Sequence, residues 1–171
     1  MKNIGQSLGL DKLLVDEGVH FFLSLIIGFV LMIVFSSPWL IAFSLLMGFL
    51  IDFDHIVDYL YYFSKNRLFV KKKLWFDPIF HLKSFLSPKA YVVKNQKVFV
   101  PFHGWELVPL FWLLLRSWGN RLGIAGLEWT SLAYLAHLSW DQLVCAGNRH
   151  SYFFIYRFFN RFSFQAYQMK K

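Results

Sequence analysis

Cysteine occurs once in this chain, at Cys145. An intrachain disulfide is therefore excluded, as is any Cys-x-x-Cys thiolate site for a metal or for redox chemistry, and the residue reads as small apolar filler. Charge is scarce as well. Only 16% of the 171 residues are Asp, Glu, Lys or Arg, against about 25% in an ordinary soluble domain. Acids are the scarcer sign, ten against eighteen Lys and Arg. No linker rich in Gly and Ser interrupts the chain and no segment repeats, so one domain is expected over residues 1–171.

Apolar residues take the place of charge. The chain is 57% hydrophobic and 21% aromatic, which makes lipid the expected solvent. The net charge of +8 does not point to nucleic acid, because the basic residues flank apolar runs and form no single patch; membrane lipids with anionic headgroups are the expected partner. Aromatic belts at the two membrane faces account for the Phe, Tyr and Trp content.

The pattern predicts an all-α membrane protein with four spans, at about 18–35, 39–60, 102–118 and 122–146. The first run, Gly18 to Phe35, is close to the ~17 residues a thin or untilted span requires. Residues 1–17 read as a separate short helix lying at the interface; no secretory cleavage pattern follows them. Ser36-Ser37-Pro38 closes a tight hairpin into the second span. Residues 64–101 form a basic loop whose only acid is Asp77, with a small β-hairpin predicted at 91–100. Pro109 is expected to kink the third span and free the carbonyl of Trp105. The tail, 151–167, alternates aromatics with Arg157 and Arg161 and is predicted to be an interfacial helix.

The polar residues inside the apolar runs carry the chemistry. Ionisable groups beside a membrane-spanning run persist mostly where they pair, line a cavity or hold a metal. The second span ends in Asp52-Phe53-Asp54-His55, and the spacing elsewhere repeats the combination: Glu17 and His20, Asp52 and His55, and His103 and Glu106 are i,i+3, and His137 and Asp141 are i,i+4. Such pairs share a helix face. At 1.5 Å per residue His20, Asp52, His103 and His137 each lie roughly 22 to 27 Å from their hairpin turns, so antiparallel spans bring them to one membrane face at similar depth. Helices that each present an imidazole with a carboxylate one turn away can bind one or two metal ions in a bundle interior. Imidazole mixed with carboxylate suits a divalent ion, Zn2+ first, then Mn2+ or Fe2+. Asp58 and His150 are expected outside this site, Asp58 solvated past the helix end.

Sixteen of the eighteen Lys and Arg lie in the loop and the two terminal regions, which places the cluster on the cytoplasmic face of a cell membrane. A metal-activated water at that depth would attack an ester or phosphoester, a phospholipid among the candidate substrates, with Asp54 or Glu106 as general base. Two other classes use related residues. A membrane di-iron oxidoreductase needs the same His and carboxylate helices, and a metal or proton carrier needs polar residues towards the opposite face, where only Ser24, Ser44 and Glu128 qualify.

Ile51-Asp52-Phe53-Asp54-His55 and the run from Leu132 to Asp141, together with His20 and His103-Gly104, resemble the YdjM-like family of membrane-bound metal-dependent hydrolases over most of the stretch from His20 to Asp141. The resemblance implies His20, Asp52, Asp54, His55, His103, His137 and Asp141 as metal ligands. The family's His-Arg-Gly-x-Thr-His segment is represented here by His103-Gly104-Trp105-Glu106, without the Arg or the second His, and Glu106 or His81 would replace the missing donor.

Overall fold

A computed structural model describes residues 4–65, 96–144 and 148–167. His81, Cys145 and residues 91–95 of the predicted hairpin lie outside the described residues, and residues 96–100 pair with no neighbouring strand of a hairpin. Apart from one isolated bridge between Lys97 and Ser163, the described residues are helical or irregular.

The first helix, α1 (Ile4–Phe35), is continuous, so the predicted division between an interfacial helix and a span is not present. Nothing in Asp11 to Gly18 breaks it: the stretch has no proline, and its single glycine is tolerated in a helix interior at a cost of about 1 kcal/mol. Ser36 takes a left-handed conformation with φ 53°, and Pro38 stands immediately before α2 (Trp39–Leu50). The hairpin falls where the sequence places it. Side by side, α1 and α2 approach closely because small residues face each other. A Cβ on Gly28 would lie 2.8 Å from Ile41 Cα, and one on Gly48 would lie 1.9 Å from Ser24 Oγ.

After α2 the chain tightens into a 3-10 turn at Ile51–Phe53 and then continues as α3 (Asp54–Lys65). Among the described residues, two stretches are long and apolar enough to cross a membrane, Val15–Phe35 and Trp39–Asp58. Many of their apolar side chains stay outside the core: Phe22, Ile26, Val30, Ile33 and Val34 on α1, and Trp39 and Leu46 on α2, are all more than half exposed.

The later helices are shorter than expected. Helix α4 (Leu107–Leu122) begins five residues after Phe102, and a 3-10 turn at Leu127–Thr130 precedes α5 (Ser131–Val144). Pro109 therefore occupies the third position of α4, where its missing N–H is one of the unpaired amides every helix start has, and it removes no bond from the helix ladder. The Trp105 carbonyl is not freed either, since the Val108 amide donates to it at 3.2 Å.

Helix α5 lies against both α1 and α2 around Leu31, Leu40, Met47, Leu127 and Leu138. Trp140 Nε1 on α5 donates to Asp16 Oδ1 on α1 at 2.7 Å. The tail is not a single interfacial helix. It is a 3-10 turn at Arg149–Tyr152 followed by α6 (Phe154–Phe159) and α7 (Phe164–Tyr167). It folds back on residues 96–105, where Val98 N donates to Phe162 O at 2.9 Å, Phe164 N to Gln96 O at 3.1 Å and Trp105 N to Tyr152 O at 3.0 Å.

Candidate metal centre

The sequence Asp52-Phe53-Asp54-His55 sits where the helix changes pitch. In a regular α-helix Asp52 and Asp54 would point about 160° apart, whereas a 3-10 pitch narrows this to about 120° and aligns Asp52 with His55. All three can then contribute to one cluster. His20 comes from α1, His137 and Asp141 from α5, and His103 from the irregular stretch before α4.

Among the described residues three overlapping groups of donor atoms result, His20 with His137 and Asp141, Asp52 with His103 and His137, and Asp54 with His55 and His103. All seven expected ligands are thus gathered in one place. His20, Asp54, His103, His137 and Asp141 are buried. The Asp52 side chain, at 25% exposure, is the most open carboxylate of the cluster. Glu17, the partner of His20 in the sequence pattern, belongs to none of the three groups.

Asp141 is the hub. Its Oδ1 lies 3.1 Å from His20 Nε2, and its Oδ2 lies 3.2 Å from His103 Nε2 and 3.3 Å from His137 Nε2. Asp52 Oδ1 is 3.5 Å from the same His137 nitrogen. The rings of His20 and His137 stack at a centroid distance of 3.5 Å.

The far side of two imidazoles decides what the near side can do. His137 Nδ1 is 2.7 Å from the Gly48 carbonyl, and a carbonyl only accepts, so Nδ1 carries the proton and Nε2 a lone pair. His103 Nδ1 is 2.8 Å from Asp54 Oδ2, which in neutral His103 leaves Nε2 in the same state. With both rings neutral, lone pairs on the two nitrogens face the Asp141 carboxylate. His137 Nε2 makes no hydrogen bond, nor do the buried atoms His20 Nδ1, Asp52 Oδ2 and Asp54 Oδ1. Buried acceptors at this range repel one another unless a cation lies between them.

The distances fit a cation. Bonds of about 2.0 to 2.1 Å at tetrahedral angles hold donors about 3.3 to 3.4 Å apart, and the four contacts just given span 3.1 to 3.5 Å. A backbone carbonyl or carboxylate behind each ligating imidazole is also the usual outer support of a metal site. These His and Asp groups have the donor types and spacing to hold a metal ion.

Two residues expected as the general base have other duties. Glu106 accepts from the backbone amides of Phe154 at 3.0 Å and Ile155 at 3.2 Å, which caps the start of α6. Asp54 Oδ2 accepts from the amides of Phe102 at 2.8 Å and His103 at 3.2 Å as well as from the His103 ring, so this fully buried carboxylate positions His103. Asp58, expected in solvent, is 2% exposed and accepts from Phe99 N at 2.7 Å. It repeats one turn later what Asp54 does for residues 102 and 103. His150 is exposed and belongs to no group, as expected.

Three supports of the site stand outside the His and carboxylate pattern of the sequence. One is the Gly48 carbonyl behind His137. Another is Tyr134, whose hydroxyl donates to Phe102 O; it stands three residues before His137 and seven before Asp141, so helical spacing could have found it. The third is Arg157, for which the sequence holds no signal. No family model, curated protein or solved structure matches the chain.

Proposed function

We propose that this chain is a multi-pass membrane hydrolase of the YdjM-like kind that holds at least one divalent ion, zinc foremost, and cleaves an ester or phosphoester. The observation that carries the reading is the meeting of three imidazole Nε2 atoms on the Asp141 carboxylate at 3.1 to 3.3 Å, two of them backed by the Gly48 carbonyl and the Asp54 carboxylate. The exposed apolar faces of α1 and α2 support a lipid setting, with α4 and α5 completing a four-span bundle. The excess of Lys and Arg in the loop and terminal regions supports a cytoplasmic site, and the same loop would draw an anionic substrate, a phospholipid headgroup being the fitting class.

Bound among these donors, a divalent ion supplies a water whose pKa is lowered to about 7 and a Lewis acid for the substrate oxygen. The chain's own residues do the remainder. His20, His137 and Asp141 would hold the ion, with His103 beside them on Asp141, and Gly48 O and Asp54 would keep two of the imidazoles in the ligating tautomer. Asp52 is the carboxylate placed to receive the proton of the attacking water, because its Oδ2 has no hydrogen-bond partner whereas both oxygens of Glu106 are taken.

Metal content and hydrolysis of p-nitrophenyl phosphate and of a phospholipid, measured on detergent-purified protein, test this reading. Wild type should carry bound zinc and turn over one of the two substrates, and the His103→Ala, His137→Ala double variant should do neither. Equal metal content in the two proteins refutes the proposal. Iron with an oxygen-dependent colour would instead identify the di-iron oxidoreductase.

A further inference from the structure

His103 is the one imidazole of the cluster that no helix carries, since it stands in the irregular stretch before α4. A ligand on such a stretch needs its backbone held from outside, or the entropy of the segment is lost each time the ion binds. Asp54 holds one side, through the His103 amide and ring. The other side is held from the tail. Arg157 on α6 is 3% exposed, its Nη1 donates to Val100 O at 2.6 Å and its Nη2 to His103 O at 3.1 Å.

The two clamps are of opposite charge and act on opposite backbone groups. Carboxylates on α3 collect the amides of residues 99, 102 and 103, while the guanidinium collects the carbonyls of residues 100 and 103. Only Arg offers a planar fork able to take two carbonyls at once. The backbone between them is bent enough to need it: Val100, a β-branched residue, has φ 22°, in a region such side chains rarely occupy. The rest of the tail adds further ties, the Glu106 cap on α6 and the bonds of Phe162 and Phe164 to residues 96–98.

We infer that Arg157 is a positioning residue of the metal centre: by gripping the His103 and Val100 carbonyls it sets the imidazole at the distance from Asp141 that a metal ion requires, so that the tail governs metal affinity while contributing no ligand. This rests on the metal-binding reading above. The tail's part is then to lock one ligand from behind.

The test is a Co2+ titration of full-length, detergent-purified apoprotein, read by visible absorption and by competition with a chelating dye. Wild type, Arg157→Lys, Arg157→Ala and the exposed-site control Arg161→Ala are compared. Wild type and Arg161→Ala should bind alike. Arg157→Lys keeps a buried cation but loses the planar fork, and should bind about 10-fold to 100-fold more weakly, the usual cost of losing an outer support, with altered d–d bands. Adding guanidinium at millimolar concentration should recover affinity in Arg157→Ala, an outcome that general destabilisation would not produce. If Arg157→Ala does not fold, Arg157→Lys carries the test alone. Unchanged affinity and bands in Arg157→Lys overturn the inference while leaving the metal centre standing. Absence of Co2+ binding in wild type overturns both.

Discussion

Gly48 links helix packing to the candidate metal centre, and replacing it with alanine tests both at once. The new Cβ would meet Ser24 Oγ at 1.9 Å and Ser24 Cβ at 2.9 Å, where carbon atoms normally rest about 3.5 to 4.0 Å apart. Rotating the Ser24 side chain moves the hydroxyl away but not its Cβ, so α1 and α2 must separate by several tenths of an ångström. Overpacking of this kind costs about 1 to 3 kcal/mol, and exchanging a helical Gly for Ala returns about 1 kcal/mol. The net loss is about 0 to 2 kcal/mol, and at about 2 to 4 °C per kcal/mol for a chain of this size the thermal midpoint should fall by up to about 8 °C.

Separation also moves the Gly48 carbonyl that His137 Nδ1 contacts at 2.7 Å, so zinc affinity should drop about 10-fold or more. Ser24→Gly removes both offending atoms and moves the small residue to the other helix. The Ser24→Gly, Gly48→Ala double variant should therefore recover stability to within about 1 kcal/mol of wild type, with a coupling of about 1 to 3 kcal/mol between the sites, and should recover zinc affinity. Midpoints come from tryptophan fluorescence in detergent and affinities from chelator competition. Additive effects of the two substitutions would refute the packing argument. A lower midpoint with unchanged zinc affinity would refute the link to His137.

Asp54→Asn should weaken zinc binding about 10-fold to 100-fold through the His103 ring, measurable by the same competition. Glu106→Ala should cost about 0.5 to 2 kcal/mol, as removal of a helix cap does, and leave metal content unchanged; loss of metal would put Glu106 back among the site residues. Trp140→Phe removes the bond to Asp16 that ties α5 to α1; a hydrogen bond to a charged group is worth about 1.5 to 3 kcal/mol, and partial burial places the expected loss at the lower end. A midpoint for Trp140→Phe equal to wild type would count against that tie.

Several features of this protein are one-dimensional and were readable as such. Composition and run length identify the two apolar stretches, because crossing a bilayer is a matter of length and polarity. Ser36-Ser37-Pro38 marks the hairpin through local backbone preference. The recurrence of His with Asp at helical spacing, Asp52 with His55 and His137 with Asp141, singles out residues that do join the cluster, because side chains three or four apart share a helix face; the two Glu of the pattern, Glu17 and Glu106, stay outside it.

Tertiary contact decided the rest. Asp54 looked like a base and is a support for His103, a role visible only once residue 103 lies against it from 49 positions away in the chain. Glu106 caps a helix that begins 48 residues later, and Asp58 is buried by the same returning segment. Arg157 sits among aromatics in a pattern that suits a headgroup layer equally well. Spacing along a helix records which side chains share a face, but it holds no record of which distant amide or carbonyl will arrive to meet them.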